Sequence, residues 1–154
     1  RQNREGGMRQ SLGLIALILF VAGLSFVLSA QDQQGGGRTL TITLTGAAEV
    51  PGPGDPDGTG VAKITLNPGK NEVCYELTVD KIAPANGAHI HSGAADKAGP
   101  PIVTLTPPAN GTSKECAPLE QEKILDIIKN PGGYYVNIHN TEYPKGAVRG
   151  QLAK

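Results

Sequence analysis

An all-β fold, an antiparallel Greek-key β-sandwich of about seven or eight strands with one short helix, is predicted by three observations. Apolar and polar residues alternate over short runs of good strand formers. Glycine (21) and proline (12) are frequent and fall between those runs. About 115 residues, 38–152, make up the expected folded region, a length that suits one such domain.

The elements follow in order along the chain. Leu40, Ile42 and Leu44 alternate with Thr39, Thr41, Thr43 and Thr45, which marks a half-buried strand. Val50 to Gly60 (VPGPGDPDGTG) is a turn-rich loop. Val61 to Leu66 places Ala62, Ile64 and Leu66 on one face. Asn67 to Asn71 joins it tightly to a strand in which Val73, Tyr75, Leu77 and Val79 alternate with Cys74, Glu76 and Thr78, so the two form a hairpin. Ala88 to His91, Ile102 to Thr106, Tyr134 to His139 and Ala147 to Leu152 complete the strands. The helix has Pro118 as an early residue, Glu120 and Glu122 favourable to its dipole, and Leu119, Ile124, Leu125, Ile127 and Ile128 as its apolar face. Asn130-Pro131-Gly132-Gly133 stops it, and it serves as a lid or crossover.

The N-terminal part reads as an export signal. From Met8, a basic Arg9 precedes the almost wholly apolar Leu12 to Leu28, and Ser29-Ala30 and a polar run follow. Residues 1–30 are therefore an N-terminal extension and signal peptide cleaved near Ala30; an uncleaved membrane anchor is the alternative. Residues 31–37 form a Gly-rich linker, and residues 38–152 the folded domain. Export to the periplasm or cell exterior implies an oxidising compartment, where Cys74 and Cys116 read as a disulfide. Two unpaired buried thiols are the alternative.

Composition narrows the function classes. Beyond Ala30 the chain has 11 basic and 13 acidic residues. No basic run with interleaved aromatics occurs there, so nucleic acid is not an expected partner. No nucleophile elbow, phosphate loop or motif-placed carboxylate pair is present. Asn110-Gly111-Thr112 fits a glycosylation acceptor.

The chemistry-bearing residues are the three histidines. In Ala88-His89-Ile90-His91, alternation turns both imidazoles away from the core side that Ile90 occupies. In Tyr134 to His139, Val136 and Ile138 point inward, so Asn137 and His139 face outward. If the two strands are neighbours, three imidazoles converge, a donor set suited to Cu(II) or Zn(II). A solvated pair of histidines is the bland alternative. Arg149 and Gln151 share the face opposite Val148 and Leu152, which places a fixed cation able to attract small anions near the histidines. An arginine paired with Glu142 or Glu120 is the alternative.

Leu44-Thr45-Gly46-Ala47-Ala48-Glu49-Val50-Pro51, Ala88-His89-Ile90-His91-Ser92-Gly93, Gly133 to His139, and Pro144 to Leu152 together resemble the CHRD domain, named from chordin and found in many exported bacterial proteins. The resemblance spans about Thr39 to Leu152. In chordin these domains sit in a secreted antagonist of growth-factor signalling. A second resemblance is to the Cu,Zn superoxide dismutases, Greek-key sandwiches with copper outside the sheet. Their H-x-H strand is similar to His89-Ile90-His91, their later copper histidine to His139, and their superoxide-guiding arginine to Arg149. Ala98-Gly99-Pro100-Pro101 looks like the dismutase segment carrying the bridging histidine, but Pro101 stands in its place and the zinc ligands have no match.

That resemblance implies copper held by His89, His91 and His139, with superoxide or another small anion as reactant. The competing reading is a non-enzymatic extracellular adhesion or interaction module. It would present the Val50–Gly60 and Gly93–Pro101 loops to a protein partner, or associate with itself through edge strands.

Overall fold

A computed structural model describes residues 37–153, so the expected signal and all but the last residue of the linker lie outside the described residues. Eight strands form: β1 (Arg38–Thr45), β2 (Thr59–Asn67), β3 (Glu72–Asp80), β4 (Ala85–Ser92), β5 (Pro101–Leu105), β6 (Thr112–Pro118), β7 (Tyr134–Asn140) and β8 (Val148–Gln151). One helix, α1 (Gln121–Lys129), lies between β6 and β7. All pairings are antiparallel, in the order β5-β4-β7-β8-β1-β2-β3-β6. The expected sandwich thus takes the form of one sheet curled into a nearly closed barrel.

Thr106, one residue beyond β5, bridges the open seam. Its N–H donates to Tyr75 Oη at 2.9 Å, its hydroxyl to Glu115 Oε2 at 2.8 Å, and its carbonyl accepts from Ser113 Oγ at 2.8 Å.

The period-two pattern decides which face turns inward. Ile42 and Leu44, Ala62, Ile64 and Leu66, Val73 and Leu77, Ile90, Val136, Ile138 and Val148 are all buried in one core. Each aliphatic side chain of valine size or larger contributes about 1.5–3 kcal/mol relative to exposure, so this face sets the strand registers.

Three readings of the sequence need correction here. Thr112–Pro118 is a strand that hydrophobic alternation did not reveal, because it is an edge strand exposed along most of its length. Pro118 ends that strand and is not part of the helix, which starts at Gln121 with Glu120 as its N-cap. The helix packs on one end of the barrel through Ile124 and Ile127, both fully buried, while Leu125 is 49% exposed and lies off the apolar face. Arg38 ties the helix to β1 by donating to the Ile128 carbonyl at 2.7 Å. Among the described residues no helix is long and apolar enough to cross a membrane.

Cys74 and Cys116 are direct cross-strand partners of β3 and β6 and form a disulfide, which suits an oxidising compartment. The bond fastens β6, which pairs on one side only, to the body of the sheet. It spans 42 residues, for which loop-closure entropy gives about 3–4 kcal/mol. Reduction, or the double Cys74→Ala, Cys116→Ala substitution, is expected to lower unfolding free energy by roughly that amount. Denaturant titration with and without reductant checks this; superimposable curves would contradict it.

Candidate metal centre

Strands β4 and β7 are immediate neighbours, with Gly87 opposite His139, His89 opposite Asn137 and His91 opposite Tyr135. This pairing meets the condition that the sequence left open, and it gathers the three histidines on the outer face of two adjacent strands. Ala88, Ile90, Val136 and Ile138, between them, are fully buried on the inner face. Gly87 leaves room for the His139 ring, whose Cδ2 would lie 3.4 Å from a Cβ at that position.

One potential ligand nitrogen from each histidine lies within 4.8 Å of the other two. His89 Nδ1 and His139 Nε2 face each other at 3.2 Å. Two nitrogens bound to one ion at about 2.0–2.1 Å stand roughly 2.9 to 3.4 Å apart for angles between square and tetrahedral. The observed gap falls inside that span.

Backbone carbonyls set the protonation of two rings. His91 Nδ1 lies 2.8 Å from the Gly99 carbonyl, and His139 Nδ1 lies 3.2 Å from that of Pro144. A carbonyl only accepts, so each Nδ1 carries the hydrogen and each neutral ring bears its lone pair on Nε2; in the metal-free domain that of His139 accepts from His89 Nδ1–H. His91 Nε2 is buried and has no hydrogen-bond partner, so its lone pair is open to ligation. All three pKa values are held below the ordinary imidazole value of 6.5, chiefly by burial. Neighbouring imidazoles add to the effect for His89 and His139, and Arg149 adds to it for His91. The rings are therefore neutral, as ligation requires, at neutral pH. No carboxylate or thiolate belongs to the group. Such a set suits copper or zinc far better than magnesium or calcium. The triad can hold a metal ion; its geometry does not name the ion.

The rest of this face departs from the expected exposure. Arg149 and Asn137 lie on the histidine side by strand parity, yet they are only 1% and 2% exposed. Alternation gives the side of the sheet, and here two loops cover that side. The loop after β4 folds back over it. Arg149 Nη2 donates to the Ala94 and Lys97 carbonyls at 2.8 and 3.0 Å, and Gln151 Nε2 donates to Gly93 O at 2.6 Å and Gly132 O at 2.9 Å. Arg149 pairs with neither Glu142 nor Glu120. Its guanidinium carbon sits 3.5 Å from the centroid of the Tyr135 ring, on which the His91 ring also stacks at 4.8 Å.

The second covering loop, between β1 and β2, brings in Glu49, which is 5% exposed. Asn137 Nδ2 donates to Glu49 Oε1 at 2.6 Å. Burial raises the Glu49 pKa from 4.5 to about 7, against the lowering effects of Arg149 and Asn137. Gly146, at φ 143°, passes so close that a Cβ there would lie 2.3 Å from Glu49 Oε2. Glu49 and Gly99 were marked only by their membership of quoted motifs, because loop residues carry no parity signal, and Tyr135 only by its place in the third motif.

All four motifs meet on this face: Glu49 from the first, the H-x-H strand from the second, Tyr135, Asn137 and His139 from the third, Gly146, Arg149 and Gln151 from the fourth. Residues 40–152 match the CHRD domain. The chain belongs to the CHRD domain family. Neither a curated protein nor a solved structure shows significant similarity to it. The likeness to dismutases therefore rests on the histidine arrangement. Where that resemblance seeks a bridging histidine, this CHRD domain has Pro101 paired opposite His91 at a β-bulge, and Gly99 supplies its carbonyl to His91 instead.

The histidines and Glu49 pull stability in opposite directions with pH in the metal-free domain. Depressed imidazole values give stability that is present above 6.5 and lost as pH falls through the folded values. The raised Glu49 value gives stability that is full below 4.5 and lost as pH rises through about 7. Glu49→Gln is expected to abolish the loss on the alkaline side and leave the acid side unchanged. Urea midpoints between about pH 5 and pH 8 check this; parallel profiles for the two proteins would refute it.

Proposed function

We propose that this CHRD domain is an exported copper-binding domain whose ligands are His89 Nδ1, His91 Nε2 and His139 Nε2. The observation that carries the reading is the convergence of three neutral imidazoles, two of them with the lone pair placed on Nε2 by backbone carbonyls. Copper is chosen over zinc because the dismutase resemblance implies it, and the higher affinity of Cu(II) for a given nitrogen site agrees with that choice. When bound, copper would supply one-electron chemistry between Cu(II) and Cu(I), and superoxide is the reactant that the dismutase resemblance implies.

The chain's own residues do the rest. Gly99 and Pro144 hold protons on the Nδ1 atoms of His91 and His139 and so orient the rings. Ala88, Ile90, Val136 and Ile138 anchor the ligand strands in the core. Arg149 is buried beside Tyr135, so its charge reaches an approaching anion as a field rather than by contact. The adhesion reading would use the same loop differently: the Gly93–Pro101 loop, bonded to the sheet through Arg149, Gln151 and Tyr135, would present the exposed residues Ala94 to Ala98 to a partner.

The purified domain is expected to take up one copper ion per chain, and the triple His89→Ala, His91→Ala, His139→Ala protein none. Each single substitution should weaken binding by more than the roughly 10–100-fold typical of losing a hydrogen-bond partner of a ligand. Affinity should fall with acidity only below the ordinary imidazole value of 6.5, because all three pKa values are depressed. Metal analysis and titration check these outcomes, and copper retained by the triple variant would end the reading. A superoxide assay on the loaded protein separates a catalyst from a carrier.

A further inference from the structure

The Gly93–Gly99 loop meets the His91 ring with one hydrogen-bonding atom, the Gly99 carbonyl at 2.8 Å, and it is fastened to the sheet at several points. Arg149 gathers the Ala94 and Lys97 carbonyls onto one nitrogen, Gln151 takes Gly93, and the Gly99 N–H donates to Tyr135 Oη at 3.1 Å. Ser92 N–H closes the loop's base on Pro100 O at 3.1 Å, and Gly93 N–H reaches Gly133 O at 2.7 Å. The packing at Gly99 is so close that a Cβ would lie 1.5 Å from Ser92 O. Arg149 is the only side chain bonded to the Ala94 and Lys97 carbonyls among the described residues.

We propose that Arg149 is a positioning residue for His91: by holding the Gly93–Gly99 loop against the sheet, it keeps the Gly99 carbonyl on His91 Nδ1 and the His91 Nε2 lone pair directed at His89 and His139. The proposal rests on the metal-site reading. It assigns Arg149 a role in ligand geometry that is separate from any effect of its charge on an anion. Lysine would not replace it, since two carbonyls are met by one arm of a planar guanidinium that also lies on the Tyr135 ring. Tyr135 serves the same end through its hydroxyl.

The test compares wild type with Arg149→Lys, Arg149→Met and Tyr135→Phe, in the full chain. Tyr135→Phe keeps the ring beneath the guanidinium and removes the hydroxyl that accepts from Gly99 N–H at 3.1 Å and donates to the Gly99 carbonyl at 3.4 Å, so it guards against an Arg149 variant that fails to fold. The first readout is made without metal. Imidazole nitrogen NMR shifts report the tautomer of His91, expected as Nδ1–H in wild type and as a mixture with Nε2–H in each variant. The second is titration with Cu(II), where affinity is expected to fall by about 10–100-fold in the Arg149 variants and less in Tyr135→Phe. An unchanged His91 tautomer in folded variants, with wild-type copper affinity, overturns the positioning role while leaving the metal site standing. A wild-type protein that binds no copper overturns the metal reading, and this proposal with it, whatever the tautomers show.

Discussion

The pairing of β4 with β7 is the constraint on which the rest of the domain depends. Strand side chains alternate with a period of two, so a slip of one residue would send His89 and His91 into the core and Ala88 and Ile90 onto the outer face. The aliphatic residues forbid that slip, because Ile90, Val136 and Ile138 are fully buried and lose several kcal/mol if exposed. Core burial, which has no chemical selectivity of its own, thereby specifies the spacing of three imidazoles.

The outer face is a second packed layer rather than a wetted surface. It holds Glu49, Asn137 and Arg149, polar groups that are costly to bury without partners. Most of that cost is met by hydrogen bonds to loop carbonyls and by the Tyr135 ring. Among the described residues, the buried side-chain atoms left unpartnered are His91 Nε2, Asn137 Oδ1 and Arg149 Nη1, all on the same face. Buried polar atoms left in this way in an otherwise satisfied structure commonly mark function.

The sequence made the inner half of the fold readable and the outer half much less so. Alternation placed β1 to β5, β7 and β8, and it put the histidines on the correct side, because a half-buried strand writes its burial into every second residue. It missed β6, whose exposed residues carry no such alternation, and so it drew Pro118 into the helix. It gave Arg149 and Asn137 the right face but not their burial, since that depends on loops folding back from distant positions. Glu49 was beyond reach for the same reason: its partner Asn137 is 88 residues away. The pairing of Cys74 with Cys116 was legible from the cysteine count and the expectation of an oxidising compartment.

Each carbonyl bonded to a histidine of the triad comes from the loop that follows that histidine's own strand. Gly99 lies eight residues after His91, and Pro144 five residues after His139. The histidines and their orienting groups are thus inherited as two short continuous cassettes. Transplanting the H-x-H strand alone into another barrel would carry over the ring positions without control of where the hydrogens reside. A protein engineer borrowing this centre would need to move both hairpin tips along with the three side chains.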